Sequence, residues 1–145
     1  MAFVHGWKDR ALRLLTPLAA ELVVARLECP AADVITYIPP DPVRQLRRTE
    51  HPAQALAGEL ARRWVIPPGA ALRRTRTTEQ QASLTLAGRR GNLRNAFDVR
   101  GAARGRVLLI DDVYTSGSTV HAAASALRRA GAARVDVVTF ARAIR

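Results

Sequence analysis

Val107-Leu108-Leu109-Ile110-Asp111-Asp112-Val113-Tyr114-Thr115-Ser116-Gly117-Ser118-Thr119 is the stretch on which the reading of this sequence turns. Four apolar residues in succession, Val107 to Ile110, show no alternation, which is the pattern of a strand buried on both faces. Two carboxylates end the run, and a short loop of hydroxyl residues and glycine leads into a helix expected from Ser118 to Ala130, closed by Gly131. A further apolar strand is expected from Arg134 to Phe140. Strand, helix and strand in that order require a parallel pair, so the fold class read from this stretch is α/β: a parallel sheet with helices on both faces.

Upstream, the same grammar continues. Ala96 to Val99 reads as a strand, and so does Ala70 to Arg74. Ala53, Leu56, Ala57, Leu60 and Trp64 recur at helical spacing, which predicts a helix over Pro52 to Trp64, stopped by Pro67-Pro68-Gly69. Asp33 to Ile38 is a short buried strand that runs into the turn Pro39-Pro40-Asp41-Pro42. The N-terminal part is expected to be helical, with Ala11, Leu14 and Leu15 on one face and Leu18, Leu22 and Ala25 continuing it beyond a break at Thr16-Pro17. Between Thr75 and Arg94 arginine, threonine and glutamine replace any apolar period, and a polar connection of that length in a small protein is functional or disordered.

The chain has 145 residues, the size of one domain, and no repeat or linker divides residues 1–145. With 48% hydrophobic and 24% charged residues it reads as globular, and no apolar run is long enough to serve as a membrane segment. One cysteine, Cys29, excludes an internal disulfide, and no secretory leader opens the sequence, so a cytoplasmic location is expected. The formal net charge of +11 is carried almost wholly by arginine, Lys8 being the single lysine. Such a balance fits either a polyanionic partner or a solvated arginine-rich surface.

The chemistry concentrates at the carboxyl end of the Val107 strand, where open parallel sheets bind their ligands. Asp111 and Asp112 resist burial unless a hydroxyl, a donor or a cation compensates them, and they point to a polyol or a divalent metal. Thr115, Ser116, Gly117, Ser118 and Thr119 supply small residues, three or more hydroxyls and the amides of a helix N-terminus, which together make a phosphate cradle. Hydroxyl-binding carboxylates beside a phosphate cradle match a ribose that carries a 5-phosphate.

Val107 to Thr119 resembles the signature by which type I phosphoribosyltransferases bind 5-phosphoribosyl 1-pyrophosphate. The wider sequence resembles the ComF type, phosphoribosyltransferase-like proteins linked to DNA uptake in competent bacteria. Arg74, Thr78, Gln81, Leu84, Arg89, Asn92, Ala96 and Phe97 carry that likeness, with Pro39, Pro42, Arg44 and Arg48 after the first strand. The resemblance implies a type I phosphoribosyltransferase fold with a reduced hood, because the sequence stops just after its last strand. It implies Asp111 and Asp112 as catalytic and magnesium-binding residues, Thr115 to Thr119 as the phosphate loop, and Pro40, Asp41 and Arg44 beside the pyrophosphate. Arg74, Arg76, Gln81 and Arg89 become residues of a closing lid. The partners implied are the phosphoribosyl donor and, in the non-catalytic alternative, single-stranded DNA or competence proteins, and a homodimer is implied by analogy.

Two further departures from the ComF pattern, beside the short C-terminus, and one contrast with purine-salvage enzymes of this fold shape these expectations. The paired cysteines of the ComF zinc module are missing, so no zinc is expected. The run Arg48-Thr49-Glu50-His51-Pro52 replaces the family's Arg-Gly-Phe-Asn-Gln. Thr115 stands where purine-salvage enzymes place an aspartate that moves a proton, which argues against hypoxanthine or guanine as acceptor. Other local readings fail: a receiver domain needs its acidic pair after the first strand and a late lysine, and a P-loop needs Gly-Lys-Ser/Thr. His5, His51 and His121 lack ligand spacing and read as surface or capping residues, and Cys29 reads as a small buried residue. Trp7 and Trp64 read as packing residues, whereas Tyr114 is expected either under the loop or against a ligand.

Overall fold

The computed structural model describes residues 15–40, 51–75, 96–114 and 117–142. Its elements in chain order are α1 (Leu15–Val24), β1 (Val34–Tyr37), α2 (Pro52–Trp64), β2 (Ala71–Arg74), β3 (Phe97–Arg100), β4 (Gly105–Tyr114), α3 (Ser118–Arg129) and β5 (Ala132–Arg142). The Val107 run is the centre of the sheet: β4 lies between β1 and β5 and is parallel to both. Val107, Leu108, Leu109 and Ile110 are each 1% exposed or less, which is why they needed no polar alternation. A further segment extends the sheet beyond β1. Ile35 N–H donates to the Pro67 carbonyl at 2.9 Å, Gly69 N–H to the Ile35 carbonyl at 2.8 Å, and the Thr36 hydroxyl to the Ala70 carbonyl at 2.8 Å.

The pleat of β4 sorts its side chains between two layers. Val107 and Leu109 pack with Ala122, Ala123, Ala126 and Leu127 of α3 and with Phe97 of β3. Leu108 and Ile110 pack on the other face with Ala19, Ala20 and Val23 of α1 and with Leu56, Ala57 and Leu60 of α2. Helices therefore cover both faces of the parallel sheet, as expected. α2 occupies the expected residues, with Pro52 in its first turn.

Four expectations need correction. β2 and β3 do not join the parallel sheet but pair antiparallel, Arg74 opposite Phe97. Their burial alternates along the strand, so each has one covered face, the condition for antiparallel pairing. In α1 the buried residues are Thr16, Ala19, Ala20 and Val23, whereas Leu18 and Leu22 are 42% and 44% exposed and Ala25 is exposed. The helix is apolar on nearly every side, so its period could not choose a face, and the alanines allow a closer approach to α2 than leucines would. Cys29 is exposed rather than buried, its sulfur lying 3.9 Å from the Trp64 carbonyl oxygen. β4 and β5 are both longer than their apolar cores, because they hold each other's polar ends in register as far as Tyr114 opposite Arg142. The break expected at Thr16-Pro17 depends on residues before Leu15, which lie outside the described residues.

The start of β4 is locked to β1. Asp33 Oδ2 accepts from the Arg106 N–H at 2.7 Å, and Asp33 N–H donates to the Arg106 carbonyl at 2.8 Å. The Arg106 N–H that donates to it holds the Asp33 carboxyl below its ordinary pKa. Gly105 precedes it at φ 72°, where a Cβ would run into the same carboxylate. The anchor sets the level at which β1 and β4 end, and so the level of the site.

Candidate functional site

Asp111 and Asp112 sit at the carboxyl end of β4, half-buried, still within the strand rather than in the loop after it. The β-ladder continues past them, Asp111 opposite Thr139 and Val113 opposite Ala141 of β5. Continuing the alternation of Val107 to Ile110 places Asp111 on the face covered by α3 and Asp112 on the face covered by α1 and α2. The two carboxylates thus flank the strand end instead of forming one pair. Asp111 Oδ1 accepts from the Asp112 N–H at 3.0 Å, which fixes the first carboxylate beside the backbone.

The turn into α3 is shorter than the sequence suggested. Tyr114 still belongs to β4, Thr115 and Ser116 lie outside the described residues, and Gly117 is already the N-cap of α3. Gly117 has φ 73° and ψ −11°, the left-handed region that an L side chain enters at a cost of roughly 1–2 kcal/mol. A Cβ there would also overlap the Tyr114 hydroxyl and ring. Tyr114 therefore packs under the turn, one of its two expected positions, with the Arg142 guanidinium 5.8 Å from its ring centroid. The first intrahelical bond runs from His121 N–H to the Gly117 carbonyl at 2.8 Å, so the amides of Ser118, Thr119 and Val120 form the N-terminal edge of the helix. No acidic residue lies in that first turn to compete for them. This is the helix end at which an anion gains both donors and the dipole.

The exit of β1 lies alongside. Ile38 N–H donates to the Ile110 carbonyl at 2.9 Å, so the Pro39-Pro40 turn leaves the sheet next to Asp111. Pro40 is half-buried, whereas Asp41 and Arg44 lie outside the described residues. So do Arg76, Gln81 and Arg89 of the expected lid. Arg74 is described, and it is fixed at the base of that segment. Its Nε donates to the Pro39 carbonyl at 3.0 Å, and its guanidinium stacks 4.9 Å from the centroid of Phe97, a residue 4% exposed. A charged hydrogen bond and a cation–π contact in a half-buried setting are together worth about 2–3 kcal/mol. Arg74→Met is accordingly expected to lower the melting temperature by about 4–10 °C. Arg74→Lys, which keeps the cation but not the planar fork, is expected to recover part of that loss in the same thermal denaturation.

Thr139 and Arg142, which neighbour Asp111 and Tyr114 in the ladder, escaped the sequence reading. Thr139 lies within the expected strand but owes its place beside Asp111 to the register with β4, and Arg142 lies where β5 continues beyond that strand without a local signal. His121 is exposed on α3, and His51 is the N-cap residue of α2 without a side-chain cap bond. Among the described residues no group of three or more His, Cys, Asp or Glu side chains converges on a point. No helix among them is long and apolar enough to cross a membrane.

The arrangement has known counterparts. The family model of the phosphoribosyl transferase domain matches residues 3–145. Competence protein F of Haemophilus influenzae is 33% identical over 143 residues, which cover 94% of this chain and 62% of that protein. The DNA utilization protein YhgH of Escherichia coli O6:H1 is 37% identical over 117 residues, covering 77% of this chain and 50% of that protein. The chain thus spans between half and two thirds of the length of these relatives. Among solved structures, orotate phosphoribosyltransferase from Aeropyrum pernix superimposes with a TM-score of 0.51 at 17% identity, over 92% of this chain and 73% of that one. That likeness establishes the type I phosphoribosyltransferase fold.

Proposed function

Since the chain belongs to the phosphoribosyl transferase domain family, in its ComF-type branch, we propose that it binds 5-phosphoribosyl 1-pyrophosphate with magnesium and transfers the ribosyl phosphate to an acceptor. The observation that carries this reading is the junction of β4 and α3. It sets two carboxylates at a strand end, and a left-handed glycine opens a helix whose first turn holds no acid. In this reading Asp111 and Asp112 accept hydrogen bonds from the ribose hydroxyls. The amides of Ser118 and Thr119, with Thr115, Ser116 and Gly117, hold the 5-phosphate. The turn at Pro39-Pro40, with Asp41 and Arg44, faces the pyrophosphate.

Magnesium suits this donor set, because it ordinarily takes one or two carboxylates and completes its shell with substrate phosphates and water. Bound there, it supplies positive charge against the departing pyrophosphate. The bond from the anomeric carbon to the pyrophosphate oxygen breaks with its electron pair on the leaving group, and a bond from that carbon to the acceptor forms. Protein groups act chiefly through positioning and fixed dipoles around an oxocarbenium-like transition state. Arg74 keeps the Pro39-Pro40 turn in place through its bond to the Pro39 carbonyl, and Arg76, Gln81 and Arg89 are the other residues this reading assigns to the lid.

Calorimetry tests this reading. Titration with 5-phosphoribosyl 1-pyrophosphate in magnesium is expected to give saturable binding in the range of about 1 µM to 1 mM usual for enzyme substrates. Chelation of the metal is expected to weaken that binding, whereas ribose 5-phosphate, which lacks the pyrophosphate, is expected to bind with little metal dependence. No heat from either ligand would overturn it.

A second reading rests on a different observation. The names of the relatives, a competence protein and a DNA utilization protein, combine with the net charge of +11 to favour contact with single-stranded DNA. The two readings are compatible.

A further inference from the structure

The end of the sheet opposite the β4–α3 junction collects positive charge from four places: the loop before β4, the end of α3 and the starts of β4 and β5. β4 and β5 begin side by side there, Gly105 opposite Ala132 and Arg106 opposite Arg134. The segment before β4 is tied to the end of α3 by a hydrogen bond from Ala103 N–H to the Ala130 carbonyl at 3.2 Å. Arg104 and Arg106 on one side and Arg128, Arg129 and Arg134 on the other thus lie at the same end of the sheet, all of them exposed. Arg106 is paired with Asp33 at 3.6 Å and Arg134 with Asp136 at 2.9 Å. Among the described residues neither Arg104 nor Arg128 has an acidic partner.

A helix C-terminus favours cations, and that effect accounts for Arg128 and Arg129 in the last turn of α3. It does not account for Arg104, which a separate loop delivers to the same end at the cost of like-charge repulsion. An anionic partner relieves that repulsion. We infer that this end of the molecule is a binding surface for single-stranded nucleic acid, engaged through its phosphate backbone. The inference takes up the second reading above and gives it a location. The guanidinium groups arise from a loop, a helix end and two strand starts. A flexible single strand can follow such a scattered set, whereas a duplex with a persistence length of about 150 base pairs meets only part of it. Arginine, unlike lysine, also stacks on unpaired bases. α3 separates this surface from the 5-phosphate site by about 18 Å, the length of a 12-residue helix. Both ligands can therefore bind at once.

The test is fluorescence anisotropy of a labelled dT20 oligonucleotide over a salt series, with wild type, Arg104→Gln/Arg128→Gln and Asp111→Asn/Asp112→Asn. Both arginines are exposed, so the first variant is expected to fold, with an unchanged melting temperature as the check. The loss of two phosphate contacts is expected to weaken binding about tenfold at low salt and to flatten the slope of log K against log salt by about 1.4. The aspartate variant is expected to bind dT20 like wild type. Absence of wild-type binding at 50 mM salt, roughly the low end of such series, would overturn both the nucleic-acid reading and the surface. Wild-type binding with an unchanged arginine variant would overturn the surface alone. Duplex DNA bound as tightly as dT20 would overturn the assignment to single strands.

Discussion

Asp111→Asn/Asp112→Asn is expected to lower the affinity for 5-phosphoribosyl 1-pyrophosphate by about 100-fold or more, with the melting temperature changed by only a few degrees. A carboxylate that accepts from a hydroxyl contributes about 1.5–3 kcal/mol, so the two together amount to at least two decades in affinity. Asparagine keeps the volume of aspartate, and its Oδ1 can still accept the Asp112 N–H that Asp111 accepts at 3.0 Å. Loss of binding would therefore report on charge rather than on folding. The structure adds an order to this prediction. Continuing the pleat, Asp111 lies on the face of β4 that α3 covers, the side on which that helix begins, and Asp112 on the other. The single Asp111→Asn variant is thus expected to account for the larger share, as calorimetry of the two single variants would measure. Equal binding by the double variant and wild type would remove the carboxylates from the site.

Gly117→Ala is expected to be the most damaging small substitution in the loop. Its φ of 73° places an alanine in the left-handed region, at about 1–2 kcal/mol. The added methyl also lands on the Tyr114 hydroxyl and ring. Either Tyr114 leaves its place under the turn or Gly117 moves, and in both cases the amides of Ser118 and Thr119 shift relative to a bound phosphate. A displacement of about 1 Å at such a site costs on the order of 100-fold in function. Ribose 5-phosphate affinity is expected to fall by at least tenfold, together with a stability loss of about 2–4 kcal/mol in denaturant unfolding. Tyr114→Ala in the same chain removes the overlap but not the dihedral cost, so it is expected to restore part of the affinity. Absence of any such recovery would show that the overlap with Tyr114 is not what displaces these amides.

The central β4–α3–β5 unit was legible because its signals are local. Val107 to Ile110 needed no partner to be recognised as a doubly buried strand, and α2 kept its expected bounds because Pro52 opens it and its alanines and leucines keep one period. What escaped depends on residues far apart in the chain. Tyr114 extends β4 only because Arg142 lies opposite, and Asp111 and Asp112 were placed in a loop because their pairing with β5 has no local mark. Pleating then separated two carboxylates that sequence alone set side by side. Arg74 illustrates the same limit within the site. Its resemblance to family residues placed it on a lid, yet its partners are a carbonyl 35 positions away and a buried ring in β3. α1 failed for the opposite reason, an excess of apolar residues that left several faces equally plausible.

These features give the β4–α3 junction a division of labour: carboxylates on either side of the strand end, a left-handed glycine supported by Tyr114, and the helix amides beyond it. The most direct measurement is a crystal structure of the chain with 5-phosphoribosyl 1-pyrophosphate and magnesium. The account predicts the 5-phosphate on the amides that open α3, the ribose hydroxyls within hydrogen-bond reach of Asp111 and Asp112, and the pyrophosphate toward Pro39-Pro40. A ligand whose 5-phosphate lies away from the start of α3, or whose ribose leaves both aspartates untouched, would contradict it.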